Sequence, residues 1–157
     1  MPPNGDIDFR VATSADVAAM AQCRLSDAAA GAADSRMAAY FDGRHHPQQA
    51  LPPRVGYAAF VADSIIGYIA GHLTTRHGCA GEVQYLFVAP AYRRRGIATA
   101  LIRLLAGWCR EQGAAKVCVS LDDDSPAAQP FYASLGAVPI KRLWYVWEDI
   151  RVLLNPG

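Results

Sequence analysis

Leu86-Phe87-Val88-Ala89-Pro90-Ala91-Tyr92-Arg93-Arg94-Arg95-Gly96-Ile97-Ala98-Thr99 is the stretch whose reading decides the fold. An apolar, β-prone run stops at a proline, and a basic, glycine-containing turn leads straight into a helix. Ile97, Leu101, Leu104, Leu105 and Trp108 recur at helical spacing, and Gly113 stands just past the helix end. The first backbone N–H groups of a helix have no internal partner, and the helix dipole favours negative charge there. Gly96 lets a phosphate approach the backbone, Ala98 is small enough to keep the turn open, and the Thr99 hydroxyl can add a donor. Arg93, Arg94 and Arg95 add charged donors. The segment therefore predicts an anion cradle. Taken by itself, it also reads as a solvated basic turn that happens to precede a helix.

Working outward, residues 82–88 form the strand that feeds this turn, and residues 56–62 and 65–73 read as a hairpin about Asp63-Ser64. Residues 43–53 hold three of the ten prolines and predict a loop. Upstream, residues 1–6 read as an arm and 7–11 as a strand. Thr13 or Ser14 then caps a helix carrying Val17, Met20, Ala21 and Leu25, and a second helix lies near 35–41. Downstream, Val117, Val119 and Leu121 alternate as in a half-buried strand. The Asp122–Pro126 turn caps a helix that stops at Gly136, and residues 140–154 supply one or two last strands. This order predicts a single α/β domain over residues 7–157, with a mixed sheet of about six to seven strands and about four helices.

At 157 residues the chain can bury a full core without disulfides or a metal. It is 52% hydrophobic and 18% charged, which excludes a disordered chain. A net charge of +1 argues against a polyanion binder acting through bulk charge, and no apolar run reaches the ~20 residues of a membrane span. The start has no basic segment followed by an apolar one, so a cytoplasmic location is expected. Cys23, Cys79, Cys109 and Cys118 form no CxxC pair and are expected reduced and buried. His72, His77 and Cys79 lie close in sequence without an obvious fourth ligand, and no metal is expected.

The P-loop pattern and G-x-G-x-x-G are both absent, which leaves an ATPase or an NAD-dependent dehydrogenase without support. Arg93-x-x-Gly96-x-Ala98, in contrast, matches the R/Q-x-x-G-x-G/A signature of the GCN5-related N-acetyltransferase (GNAT) family. Residues 86–90 resemble that family's L-y-V-x-P strand, and 125–137, with Phe131, Tyr132, Leu135 and Gly136, resemble its N-x-x-A-x-x-x-Y-x-x-L-G-F helix. The resemblance spans residues 55–138 in the right order. Ser125 stands where the family usually has asparagine, and Ala137 where it has an aromatic.

The resemblance implies acetyl-CoA as co-substrate, no metal, and direct attack of an amine on the thioester. It assigns the pyrophosphate to Arg93, Arg94, Arg95, Gly96, Ile97, Ala98 and Thr99, with Ser125 as a further contact. The backbone of Leu86, Phe87 and Val88 would pair with the pantetheine amides and polarise the thioester carbonyl. Tyr132, protonated at neutral pH, is the expected general acid for the thiolate. Glu82 is the expected base, on a strand whose alternation sets it with Gln84, Leu86 and Val88, and Asp122 is the second choice. The acceptor would be a small-molecule or peptide amine, with no nucleic acid or membrane partner and room for a homodimer. Tyr40, Phe41, Trp144, Tyr145 and Trp147 fall in segments that wall the family's acceptor pocket; they suit a cation–π contact and a core equally. Two competing classes are a non-catalytic acyl-CoA-binding module and an RNA-binding domain using Arg93 to Arg95. The second lacks interleaved aromatics and net charge.

Overall fold

The computed structural model describes residues 6–28, 33–121 and 127–154. One mixed sheet runs through it in the order β1-β2-β3-β4-β5-β7-β6. Its strands are β1 (Ile7–Val11), β2 (Ala50–Val61), β3 (Ser64–Thr74), β4 (Gly81–Val88), β5 (Val117–Ser120), β6 (Val138–Lys141) and β7 (Trp144–Trp147). All neighbours are antiparallel except β4 and β5. The helices are α1 (Val17–Arg24), α2 (Met37–Phe41), α3 (Ile97–Glu111) and α4 (Ala128–Ser134). Met20, Cys23 and Met37 of α1 and α2 pack with Ala58, Tyr68 and Phe87 on one face. Leu101, Ile102 and Leu105 of α3 pack with Ile69, Val83 and Trp147 on the other. The α/β class and the count of seven strands and four helices agree with the sequence reading.

Local chemistry accounts for the element ends. Thr13 and Asp16 form a reciprocal capping box, Asp16 Oδ2 accepting from the Thr13 N–H at 3.0 Å, and a single 3-10 turn then leads into α1. The hairpin turn sits one residue earlier than predicted. Val61 pairs with Ser64, so the turn is Ala62-Asp63, with Ala62 at φ 53 as a tight right-twisted hairpin requires. The predicted proline loop is shorter than expected, because β2 already begins at Ala50. Leu51 pairs with Leu73 and Arg54 with His72, so Pro52 and Pro53 occupy a bulge, where a missing N–H leaves no ladder bond unmade. The C-terminal strands end at Trp147. Residues 150–154 form a 3-10 helix, with the Ile150 N–H on the Ala115 carbonyl at 2.8 Å and the Ile150 side chain fully buried. All four cysteines are free and buried, and burial pushes the Cys23 thiol up to about 11 and the Cys109 thiol up to about 12. The last strand, β6, pairs only with β7, and all its residues are exposed.

Two features of β4 place the site. Between Ala70↔Tyr85 and Gly71↔Val83 the register skips Gln84, a bulge that reverses side-chain alternation along the strand. Its parallel pairing with β5 also stops early, covering only Gly81–Val83 against Val117–Val119. Gly71 permits the close approach of β3, β4 and α3, since a Cβ there would lie 2.7 Å from the Glu82 carbonyl oxygen and 3.1 Å from Leu105 Cδ1. Gly71→Ala is therefore expected to lower stability by about 1–3 kcal/mol, read as a shifted urea midpoint with unchanged slope.

Candidate active site

Beyond Val83 and Val119 the two parallel strands diverge, and among the described residues Gln84–Val88 continues without a partner on its β5 side. A cleft of about 320 Å³ opens in the gap. Gln84, Tyr85 and Leu86 line one wall, and Val119, Ser120, Leu121, Ala128 and Tyr132 line the other. Arg24, Asp34, Met37 and Tyr68 close it on the α1–α2 side. An unpaired strand edge inside a cleft is a ready site for an extended amide-bearing ligand.

From the cleft, β4 runs directly into the basic turn. The Ala89 N–H anchors the strand end on the Ile66 carbonyl at 2.8 Å. Arg94 (φ 64) and Gly96 (φ 79) then take left-handed conformations and turn the chain into α3. Among the described residues no side chain caps this helix, and its first bond runs from the Ala100 N–H to the Gly96 carbonyl at 3.0 Å. The N–H groups of Ile97, Ala98 and Thr99 thus have no acceptor one turn back. A Cβ on Gly96 would meet nothing within 4 Å, so its open side has room for an anion. Arg94 and Arg95 are exposed, Arg95 lying over the Tyr92 ring at 5.4 Å. Arg93 differs from its neighbours. Its Nε donates to the Val88 carbonyl at 2.9 Å and its Nη2 to Asp27 at 2.6 Å, so its guanidinium braces the turn against the end of α1.

Tyr132 lines the cleft. It is 7% exposed, edge-on to Phe131 and Trp147 at ring distances of 5.2 and 5.7 Å. Glu82 is placed otherwise. The bulge at Gln84 sets it with Tyr85 and Phe87, not with Leu86 and Val88 as strict alternation predicted, and it does not line the cleft. Its carboxylate is 4% exposed, with Oε1 3.5 Å from His72 Nε2 and Oε2 3.8 Å from an Arg76 nitrogen. His72 Nδ1 lies 2.9 Å from the Tyr40 hydroxyl, and burial raises the Tyr40 pKa far above the ordinary phenol range. Tyr40 therefore keeps its proton, its hydroxyl and His72 Nδ1 share one hydrogen bond, and His72 Nε2 faces Glu82.

Of the two roles open to Tyr40, Phe41, Trp144, Tyr145 and Trp147, the structure shows packing, and none of them lines the cleft. Tyr40 and Trp147 are core, Phe41 packs edge-on against Tyr40, and Tyr145 packs on the α3 face. Trp144 is covered by Arg76 at 4.4 Å and His77 at 4.5 Å. Besides Tyr132, the cleft is lined by Tyr68 and Tyr85, which no motif marked. His72, His77 and Cys79 do not converge, and among the described residues no group of three His, Cys, Asp or Glu could hold a metal ion. Asp122 and Ser125 lie outside the described residues.

The description of the Acetyltransferase (GNAT) family matches residues 19–137. The chain belongs to that family. Among curated proteins, this GNAT chain is 29% identical over 111 residues to N-alpha-acetyltransferase 30 of Schizosaccharomyces pombe, covering 67% of this chain and 74% of the relative. Among solved structures, it superposes on a GNAT-family acetyltransferase of Staphylococcus aureus Mu50 with a TM-score of 0.73 at 17% identity, covering 90% of this chain and 98% of the other. Arabidopsis thaliana NAA60 in complex with acetyl-CoA gives a TM-score of 0.71 at 15% identity, with coverage of 90% and 98%. Among the described residues no helix is long and apolar enough to cross a membrane.

Glu82 is expected to act first on stability. Glu82→Ala leaves His72 Nε2 and the partly exposed Arg76 facing an empty space and should cost about 1–3 kcal/mol, whereas Glu82→Gln retains an acceptor and should lose clearly less. Urea unfolding of the two variants measures the difference.

Proposed function

We propose that this chain transfers an acetyl group from acetyl-CoA to a primary amine, and that a peptide or protein α-amine suits its site best. The observation that carries the proposal is the continuity of the unpaired β4 edge with the uncapped start of α3. The edge at Leu86, Phe87 and Val88 offers backbone groups to pantetheine amides, and the turn from Arg93 to Thr99 offers N–H groups and charge to a pyrophosphate. In this reading Arg94 and Arg95 meet the phosphates while Arg93 holds the turn in shape. Ser125 is retained as a proposed contact on the strength of the motif.

Acetyl-CoA supplies an activated acyl group, so the C–N bond forms as the C–S bond breaks and the leaving sulfur requires a proton. In this reading Tyr132 gives one, a role supported by its position in the cleft wall across from the β4 edge. Deprotonating the acceptor is the other demand. A lysine amine, pKa ~10.4, costs about 4–5 kcal/mol to present neutral at pH 7, but an α-amine of pKa ~7.7–8.0 costs only about 1 kcal/mol. The buried Glu82 carboxylate, held between His72 and Arg76, can take an acceptor proton only through a relay. A site of this kind suits the acceptor that needs least help, and the Schizosaccharomyces pombe relative carries the name of an N-alpha-acetyltransferase. The burial of Glu82 also favours one rival, a binding module without turnover, and direct assay of acetyl transfer separates the two.

CoA at 100 times its dissociation constant should add about 2.7 kcal/mol of stability, visible as a raised Tm. Gly96→Val strains a residue at φ 79 and fills the open side of the turn, so CoA affinity should fall at least about tenfold while far-UV CD is retained. An unmoved Tm with millimolar CoA overturns the cofactor assignment. Tyr132→Phe keeps the ring contacts and removes the proton donor. Single-turnover acetyl transfer should slow by about 10²-fold, with KM for acetyl-CoA moving far less. A wild-type rate in this variant makes Tyr132 a packing residue only.

A further inference from the structure

On the α1–α2 side, the cleft wall carries one carboxylate, Asp34. Its two oxygens are used differently. Oδ1 accepts from the Arg36 backbone N–H at 2.8 Å and from Arg36 Nε at 3.1 Å, contacts made within one local turn. Oδ2 accepts two longer bonds, from Arg36 Nη2 at 3.2 Å and from the Tyr85 hydroxyl at 3.3 Å. Tyr85 stands on β4 between Gln84 and Leu86, and all three line the cleft. The Asp34 side chain is 25% exposed and the Arg36 side chain 64% exposed, so the guanidinium facing Oδ2 stands mostly in water. An ion pair this exposed is weak and exchanges readily with another cation.

We propose that Asp34 Oδ2 is the anchor for the acceptor's ammonium group, and that Arg36 is an exchangeable cation which occupies that anchor until the acceptor arrives. The inference rests on the acetyl-transfer reading and names its substrate class: a cationic amine, rather than an alcohol or a neutral nucleophile. Tyr85 holds the carboxylate in orientation from the side of the strand that flanks the reaction site. Met37, Tyr68 and Leu86 place apolar atoms in an otherwise polar wall, for the carbon skeleton next to the amine. Arg24, the other charged side chain in the wall, is turned over the Phe87 ring at 5.2 Å and toward the Tyr68 hydroxyl. Partial burial works to raise the Asp34 pKa, but the hydrogen bonds and charge of Arg36 outweigh it and hold the carboxyl below the usual range. Asp34 thus stays ionised and holds the arriving acceptor in its ammonium form; the amine gives its proton to water in the cleft before its lone pair attacks the thioester. A site that pairs its carboxylate with the substrate's charge rejects an analogue lacking that charge far better than an apolar pocket rejects an extra methylene.

The competition with Arg36 gives the two variants opposite signs, which a purely structural role of the Asp34–Arg36 pair does not. The probe is the tetrapeptide amide Leu-Ala-Ala-Ala with a free α-amine, titrated calorimetrically into the CoA-loaded protein beside its uncharged α-hydroxy analogue. Asp34→Asn should weaken the amine peptide about tenfold or more, since a charge-assisted bond is lost. Arg36→Ala should tighten it about threefold, since a competing cation is gone. The hydroxy analogue should bind wild type and Asp34→Asn alike. Amine affinity indifferent to Asp34, an Arg36→Ala variant that binds no tighter, or CoA-loaded wild type that does not bind the peptide each overturns the anchor while leaving the CoA site standing. Failure of the wild-type protein to bind CoA overturns the acetyl-transfer reading, and the anchor with it.

Discussion

The rest of the structure depends on a parallel strand pair that stops early. β4 and β5 share only three residue pairs, after which their backbones part. Buried N–H and C=O groups must find partners, so strands that separate inside a sheet leave a demand that only water, side chains or a ligand can meet. On one side of the gap the unpaired edge of β4 faces the cleft, and on the other α4 brings in Tyr132. Edge-on contacts to Phe131 and Trp147 hold that ring, and the Trp147 indole N–H on the Leu135 carbonyl at 3.2 Å ties β7 to the end of α4.

The same divergence explains why the turn after β4 is so firmly held. A strand with neighbours on both sides is fixed by its ladder, but among the described residues the C-terminal half of β4 pairs with β3 alone. The Ala89 N–H on the Ile66 carbonyl and the Arg93 bridge to Val88 and Asp27 supply the missing restraint. The guanidinium of the arginine that begins the family signature is thus engaged by Val88 and Asp27, and Arg94 and Arg95 beside it are exposed.

How much of this was legible in the sequence follows from which physical rules act locally. The strand-turn-helix at residues 86–99 was legible because a proline stop, a left-handed glycine and helical periodicity each act over a few residues. Tyr132 was legible through its place in a motif. The orientation of Glu82 was not, because a bulge at Gln84 inverts alternation without altering composition, and a period-two reading carries the wrong face past it. Pro52 and Pro53 misled for a similar reason. They signal a loop, yet a bulge on a long strand accommodates them. Asp34 and Tyr85 were invisible for a third reason: a contact across 51 positions of sequence leaves no local pattern.

The far edge of the sheet carries a consequence for the behaviour of the protein in concentrated solution. Among the described residues β6 has no outer neighbour, and it exposes Val138 at 47% and Ile140 at 41%, the profile of a strand that invites another chain to add on. Pro139 between them removes a donor from the strand, Lys141 closes it with a charge, and the register slips between the two against β7. An incoming strand would meet a gap in its bonding, a cation to desolvate and an irregular edge. These are the devices by which soluble proteins keep sheets from growing edge to edge into aggregates, so this hairpin acts as a gatekeeper for colloidal stability as well as a boundary of the fold.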